Sequence, residues 1–212
     1  VEVGQLQQSV NRVFELAAAK VRQLDASWDA ARGAPVFTVE GQYTTRGWTE
    51  WTQGFQYGCL ILCGDALDDG DLIDVGRSRT VEHMLPHVTH IGVHDHGFNN
   101  VSTYGNLRRL MRGGKFPQNG FKMNFYQVAL KLSGAIQAAR YSPTTTGNGY
   151  ICSFNGPHSL FADTIRSLRA LAVAHQLGHS FMGENDANIS LLERLIQHAK
   201  TTADYTVFYG EG

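Results

Sequence analysis

The feature that most constrains the fold is a succession of helical patterns that alternate between one-sided and all-round apolar surfaces. The segment SVNRVFELAAAKVRQLDASW carries apolar residues at helical spacing, and Gly33 and Pro35 end the pattern. The next pattern, from about Glu50 to Asp68, is apolar on most faces. This alternation is typical of helical hairpins in two layers, in which the inner helices are covered on both sides.

Further helical patterns follow along the chain. One is predicted from about Asp71 to Val88 with Asp71 as its cap, and another runs through NVSTYGNLRRLMR to about Arg112. Three more are predicted in FKMNFYQVALKLSGAIQAAR, in SLFADTIRSLRALAVAHQLGHSFM with Ser159 as the cap, and in NISLLERLIQHAKTTADYTVF. Because no alternating strand pattern of any length competes, we predict an all-α protein of about seven or eight helices.

Composition narrows the class of partner. The formal net charge of −1 gives no general attraction to nucleic acid or to an anionic membrane surface, so neither is expected as a partner. Three cysteines cannot form a closed set of disulfides, and Cys59 and Cys63, four residues apart in an apolar helix, are expected to be reduced. The compartment stays open between cytoplasm and periplasm.

Two segments place polar or aromatic groups directly before a Gly-Phe pair. EWTQGFQYG contains Trp51, and VHDHGFNN contains His94 and Asp95; each lies at the predicted start of an inner helix. Helix N-termini favour carboxylates through unsatisfied N–H groups and the helix dipole. If inner helices start on the same side, these residues would converge on one pocket.

Asp163 is a third candidate, in SFNGPHSLFADTIRSLR. A carboxyl group among apolar neighbours is poorly solvated, which suits a general acid. The alternative is an ion pair with Arg166 or Arg169 on the same helix, which the spacing allows equally well.

A zinc site is a weaker interpretation of the histidines. His83 and His87 are four residues apart and could share a metal with His94 or Asp95. However, no HExxH arrangement is present and Pro86 interrupts the helix between them, so we predict no metal and no cofactor.

Taken in order, WTQGFQYG, HDHGF and the aspartate of SLFADTIRSL resemble the unsaturated glucuronyl hydrolases and the related unsaturated rhamnogalacturonyl hydrolases, over roughly residues 45 to 170. The resemblance implies an (α/α)6 barrel, a six-hairpin toroid of twelve helices. Because about eight helices do not close such a barrel, we expect residues 1–212 to form a single α/α domain that is incomplete in this chain, the N-terminal part of a longer catalytic domain.

The resemblance also implies the chemistry. Such enzymes hydrate the C4=C5 double bond of an unsaturated uronic acid, and the resulting hemiketal opens, so that the glycosidic bond breaks indirectly. Asp163 would be the general acid/base and Asp95 would assist by positioning water and substrate. The substrate, an acidic oligosaccharide, would be bound by His94, Trp51, Phe98, Asn99 and His158.

Two alternatives remain open at this stage. The chain could belong to another (α/α)6 sugar enzyme, such as an inverting glycosidase or an epimerase, or to a non-catalytic helical protein that binds glycans. A separation of the Asp95 and Asp163 carboxyl groups well beyond ~10 Å would favour the non-catalytic role. The remaining C-terminal half or a second copy of the chain is the expected protein partner.

Overall fold

The computed structural model describes residues 3–46 and 51–210, most of which are helical. The described residues fall into two compact units that are not contiguous in sequence. Unit 1 comprises residues within 1–85 and 102–119, and unit 2 comprises residues within 86–101 and 120–212. The prediction of one α/α domain that continues beyond this chain stays a prediction.

Unit 1 is built on three helices and one hairpin. The helices are α1 (Val3–Ser27), α2 (Gln53–Leu67) and α3 (Gly70–His83), and the hairpin pairs β1 (Phe37–Val39) with β2 (Gln42–Thr44). The helix α5 (Asn106–Arg112) completes the unit. The sequence predicted α1 and α2, although the predicted first residue of α2, Glu50, lies outside the described residues.

Helices α2 and α3 pack closely because glycines face the partner helix. A Cβ added at Gly64 would lie 2.6 Å from Ile73, and one added at Gly76 would lie 2.7 Å from Ile61. Contacts this short leave no room for a methyl group, so the two backbones approach one another at these positions. The all-round apolar character of α2 therefore reflects burial on several faces, as the sequence predicted.

Unit 2 contains the remaining elements. The short helix α4 (Leu85–Val88) begins at the last residue of the first segment of unit 1, and the π-helical segment (Gly97–Gly105) belongs to unit 2 only up to residue 101. The longest described helix of this unit is α6 (Gly120–Ala139), and α7 (Thr164–Ser167), α8 (Arg169–Gln176) and α9 (Leu191–Thr206) follow. Two small antiparallel hairpins lie between them: β3 (Tyr141–Pro143) with β4 (Gly149–Ile151), and β5 (Phe181–Met182) with β6 (Asn188–Ile189).

The core of unit 2 joins α6, α8 and α9. Its fully or almost fully buried members are Ala138, Ile151, Leu168, Leu171, Ala174 and Leu191. Gly134 lets α6 approach α8, because an added Cβ would lie 2.4 Å from the Cβ of Ala174. These helices fix the loops that carry the candidate site.

Two predicted helix caps are wrong. The third helix is capped by Asp69, whose Oδ1 accepts a hydrogen bond from Leu72 N at 3.0 Å, whereas Asp71 lies in the first turn. Ser159 does not cap a helix either; its Oγ pairs with Ser153 Oγ at 2.7 Å, and α7 begins only at Thr164. Asp69 thus replaces Asp71 as the cap of the third helix, whereas no side chain caps α7 in place of Ser159.

The predicted helix from Asp71 to Val88 is interrupted. It ends at His83, and α4 resumes at Leu85, directly before Pro86. Proline has no backbone N–H, so Pro86 cannot bond to the carbonyl of Glu82, and its ring crowds that carbonyl, which accounts for the break. His83 and His87 therefore do not share one continuous helix.

No described helix combines the length and the apolar character needed to cross a bilayer. Within the described ranges no group of three or more His, Cys, Asp or Glu side chains is arranged to hold a metal ion. Cys59, Cys63 and Cys152 are free thiols, as predicted for the first two.

Three buried histidines in unit 2 should make the protein sensitive to acid. Burial lowers the pKa of His96 to about 3 and those of His87 and His198 to about 4. An unfolded histidine takes up its proton near pH 6.5. Below that pH these histidines bind protons in the unfolded chain but stay neutral in the folded chain. The stability present above about pH 6.5 is therefore lost as the pH falls toward 4.

We expect the free energy of unfolding to fall by up to about 1.4 kcal/mol per pH unit for each such histidine across this window. Urea titrations at a series of pH values measure this slope. The variant His87→Gln should reduce this slope by the contribution of one proton, which is about 1.4 kcal/mol per pH unit. The variant His175→Gln, at an exposed position, is the matched control and should leave the slope unchanged. A slope that is flat between about pH 6.5 and 4 would contradict the assignment.

Candidate active site

The segment His94–Gly97 is held in place by two polar side chains of unit 2. Ser167 Oγ donates to His94 O at 2.5 Å and accepts from Gly97 N at 2.8 Å. Gln137 Nε2 donates both to His94 O at 2.9 Å and to Ser167 Oγ at 3.1 Å. The hydroxyl of Ser167 thus uses its one donor and accepts two bonds, which fixes the backbone on either side of Asp95.

Gly97 is required at its position for a steric reason. A Cβ added there would lie 2.2 Å from Ser167 O and 2.7 Å from Ser167 Cα. Its carbonyl also accepts a hydrogen bond from Arg169 Nε at 3.1 Å. The glycine of the HDHGF motif therefore permits close contact between two backbones.

His96 has a structural role in the same segment. Its Nε2 donates to His90 O at 3.1 Å, and its Nδ1 accepts from Ser133 Oγ at 3.0 Å. Asn100 Nδ2 in turn donates to Ser133 Oγ at 2.9 Å. Because His96 is only 1% exposed and both of its nitrogens are bonded, this ring anchors the segment rather than facing a ligand.

The two predicted carboxyl groups meet at one imidazole nitrogen. His94 Nε2 lies 3.7 Å from Asp95 Oδ1 and 3.5 Å from Asp163 Oδ1. The two Oδ1 atoms can therefore be no farther apart than the sum of these two distances. This upper limit falls within the separations found between paired carboxyl groups in glycosidases. Asp95 and Asp163 therefore form a carboxyl pair, although the loops that carry them are far apart in sequence.

The members of this pair differ in solvent access. The side chain of Asp95 is 12% exposed, whereas that of Asp163 is 40% exposed. The expectation that Asp163 is poorly solvated is therefore wrong for the group as a whole. Its Oδ1 nevertheless is buried against His94, so only the other oxygen meets solvent.

Arg166 lies next to the solvent-exposed oxygen of Asp163. Its guanidinium lies 3.6 Å from Asp163 Oδ2, too long for a hydrogen bond, and 5.2 Å from the centroid of the Phe98 ring. The predicted alternative of an ion pair with Arg166 thus exists alongside the contact with His94. Arg169, the other candidate partner, instead bonds Gly97 O.

Two phenylalanines enclose the His94 ring. Phe154 stacks on it at 6.0 Å and 14°, and Phe161 meets it edge-on at 5.8 Å and 68°. His94 is consequently only 2% exposed. Its Nε2 faces the carboxyl pair, so the geometry favours a role in holding these groups over the predicted hydrogen bond to a sugar.

The other predicted substrate-binding residues have different surroundings. Phe98 is 7% and Asn99 1% exposed, and Asn99 N bonds Asp95 O at 3.0 Å within the helical turn. His158 lies on a surface cavity of about 520 Å³ whose lining does not include the carboxyl pair. Trp51 belongs to unit 1, where its indole is 46% exposed and contacts Phe55 edge-on at 5.7 Å.

Sequence reasoning missed the residues that enclose and hold His94. Ser167 and Gln137 are ordinary polar residues on helical patterns, and only their burial, 0% exposed for each, reveals their role. Phe154 and Phe161 left a clearer signal: Phe154 lies in, and Phe161 just after, the long loop YSPTTTGNGYICSFNGPHS that precedes Asp163. Long ordered loops with aromatic residues are frequent near binding sites.

The fold is similar to that of solved unsaturated glucuronyl hydrolases. A crystal structure of unsaturated glucuronyl hydrolase from Streptococcus agalactiae matches with a TM-score of 0.66 and 19% identity, over 93% of this chain and 47% of that chain. An unsaturated glucuronyl hydrolase specific for heparin matches with a TM-score of 0.65 and 19% identity, over 93% of this chain and 48% of that one.

These matches define the fold class first. The chain has an all-α fold of the (α/α)6-barrel type, which confirms the fold prediction. More particularly, the fold is unsaturated glucuronyl hydrolase-like, and the chain spans about half the length of these two structures. No family model matches the sequence, and no curated protein is similar to it at a significant level.

The close approach at Gly97 predicts a sharp effect of a single methyl group. The variant Gly97→Ala would overlap Ser167 O, so we expect a loss of at least about 2 kcal/mol in the free energy of unfolding, measured by urea denaturation. Gly120→Ala is the matched control: an added Cβ there meets nothing within 4 Å, and stability should change by less than about 0.5 kcal/mol. Equal stability of both variants would refute the steric role.

Proposed function

We propose that this chain is part of a glycoside hydrolase that acts on oligosaccharides ending in an unsaturated uronic acid. The observation that carries the proposal is the pair of carboxyl groups on His94 Nε2, within a fold shared with unsaturated glucuronyl hydrolases. The short separation of the pair favours catalysis over the purely glycan-binding alternative.

Asp163 is assigned as the general acid/base because it is the more accessible member of the pair. Its carboxyl group donates a proton to C4 of the double bond, and the resulting carboxylate accepts a proton from the water that adds at C5. The product is a hemiketal, which opens and releases the rest of the oligosaccharide. Water is the nucleophile that bonds to C5 and Asp163 only transfers protons, so no nucleophilic residue is required.

Asp95 is assigned to position that water and the substrate. Its side chain is almost buried, and its backbone is fixed on both sides through Ser167 and Gln137. Because this carboxylate is already ordered, it can orient a water molecule with little further loss of conformational entropy. His94 holds the two carboxyl groups at a set separation.

Arg166 offers the positive charge that an acidic substrate needs. Its side chain is 68% exposed and lies beside Asp163. A guanidinium forms two parallel hydrogen bonds with a carboxylate, and the uronic acid carries its carboxylate on the carbon that receives the water. Trp51, Phe98, Asn99 and His158 stay predicted contributors to substrate binding.

The central test is the variant Asp163→Asn in the full-length protein. Loss of the acid/base should lower kcat by roughly 10²- to 10⁴-fold, because the amide cannot deliver a proton. The assay follows the near-ultraviolet absorbance of the conjugated enoate in an unsaturated disaccharide, which disappears on hydration. Asp204→Asn, an exposed change in unit 2, should keep full activity.

Full activity of Asp163→Asn would end the assignment of that residue. Saturated disaccharides assayed in parallel distinguish the alternatives: cleavage of these by the wild-type protein would indicate an ordinary glycosidase. Binding of unsaturated disaccharides without any turnover would indicate a glycan-binding protein.

The role of Arg166 is tested separately. We expect Arg166→Gln to raise KM for unsaturated disaccharides by about tenfold or more, with a smaller effect on kcat, because it removes ground-state binding of the carboxylate. Lys200→Gln removes the same charge from an exposed position of α9 and should leave KM unchanged. An unchanged KM in Arg166→Gln would show that another group binds the carboxylate.

A further inference from the structure

His198 is a fully buried histidine of unit 2 that the proposed reaction does not use. It lies on α9 and is 0% exposed. Its Nδ1 accepts a hydrogen bond from Ile151 N at 2.9 Å. Burial lowers the pKa of His198 to about 4, so the ring is neutral near pH 7. A neutral imidazole whose Nδ1 accepts a bond carries its hydrogen on Nε2.

That hydrogen has no acceptor in the described part of the chain. His198 Nε2 is buried and lacks a hydrogen-bond partner among the described protein groups. A buried donor left without an acceptor costs roughly 1–3 kcal/mol. Native proteins rarely tolerate such a group, and when they do it commonly marks a bound water or a functional arrangement.

His94 offers the matching acceptor. Both of its ring nitrogens are likewise buried without a partner in the described residues. The two imidazoles are close enough to interact electrostatically, since His94 contributes to the lowered pKa of His198. In addition, α9 packs against α7, which begins directly after Asp163.

We propose that His198 is a positioning residue that sets the tautomer of His94. Its Nε2–H donates to His94 Nδ1 through one bridging water, since neither nitrogen has a direct protein partner among the residues that the structure describes, and the hydrogen of His94 is thereby held on Nε2. That hydrogen then points toward Asp95 Oδ1 and Asp163 Oδ1, at 3.7 and 3.5 Å from the nitrogen. The inference deepens the proposed function and rests on it only for its kinetic consequence.

The choice of tautomer matters for the carboxyl pair. With hydrogen on Nε2, His94 presents a donor to both oxygens and draws the two acidic side chains together. With hydrogen on Nδ1, the same nitrogen would present a lone pair to two oxygens in a buried setting, which is repulsive. A fixed tautomer therefore maintains the separation on which Asp163 depends.

The tautomer of His94 can be read directly by NMR, without any substrate. Two-bond and three-bond ¹H–¹⁵N correlation spectra of the ring distinguish the Nε2–H from the Nδ1–H form, and the variant His94→Gln identifies its resonances. We expect the Nε2–H form in the wild-type protein. Observation of the Nδ1–H form, or of a mixture of the two, would overturn the proposal.

Two substitutions of His198 separate its two hydrogen bonds. In His198→Asn the amide oxygen replaces Nδ1 as the acceptor for Ile151, but the Nε2–H donor is lost. In His198→Gln the amide nitrogen replaces the Nε2 donor, but the acceptor for Ile151 is lost. We expect His94 to lose its fixed tautomer in the Asn variant and to keep it in the Gln variant, even where the Gln variant is the less stable protein.

Thr202→Val is the matched control. Thr202 lies one turn farther along α9, and its buried Oγ1 also lacks a partner among the described groups. This variant should leave the tautomer of His94 unchanged. A change of tautomer in Thr202→Val, or none in His198→Asn, would overturn the proposal.

Enzyme kinetics give a second measurement, which is independent of the tautomer seen by NMR. If unsaturated disaccharides are substrates, His198→Asn should lower kcat at least about tenfold with little change in KM, and His198→Gln should restore most of it. A protein that shows the expected tautomers but no hydrolysis would contradict the proposed function and leave this inference standing. Kinetic losses that follow stability in both variants would show that His198 is only structural.

Discussion

The close contact between Gly97 and Ser167 is the constraint on which the candidate site depends. It brings two backbone segments together that lie 70 residues apart in sequence, and it allows one hydroxyl to bond both sides of Asp95. Gln137 strengthens the same contact from α6. Since Asp163 lies only one helical turn before Ser167, the contact also fixes where the second carboxyl group can be.

This arrangement gives two chemically identical side chains different surroundings. Asp95 is enclosed and rigid, whereas Asp163 has one buried oxygen against His94 and one accessible oxygen beside Arg166. Enzymes that use two carboxyl groups commonly divide the roles of acid and helper by such differences in environment. The aromatic rings of Phe154 and Phe161 screen the imidazole between them from bulk solvent, which strengthens the electrostatic contacts there.

Much of this could be predicted from residue patterns, and the failures have physical reasons. The long helices α1, α2, α6 and α9 were predicted because their apolar periodicity extends over several turns. The hairpins were missed because strands of two or three residues are too short to show alternation; at the β1–β2 turn, Glu40 and Gly41 adopt positive φ angles. The π-helical segment also leaves no periodicity that distinguishes it from an ordinary helix.

The candidate site was predicted in part. The resemblance indicated Asp95 and Asp163, and the structure places both carboxyl groups at His94 Nε2, while their catalytic role stays a prediction. Sequence could not reveal that His94 is enclosed, since its enclosure depends on residues from a distant loop. It could not reveal Ser167, Gln137 or His198 either, because a buried polar side chain is recognised by its partners and not by its type.

The interleaving of the two units has a consequence for synthesis of the chain. Residues 86–101 belong to unit 2, but the rest of that unit begins only at residue 120. At ribosomal rates of about 5–20 residues per second, the backbone around Asp95 waits several seconds for Ser167 to be made. During that interval His94 O and Gly97 N lack their partner on Ser167, so the backbone around Asp95 is completed only after α6 and α7 have been made.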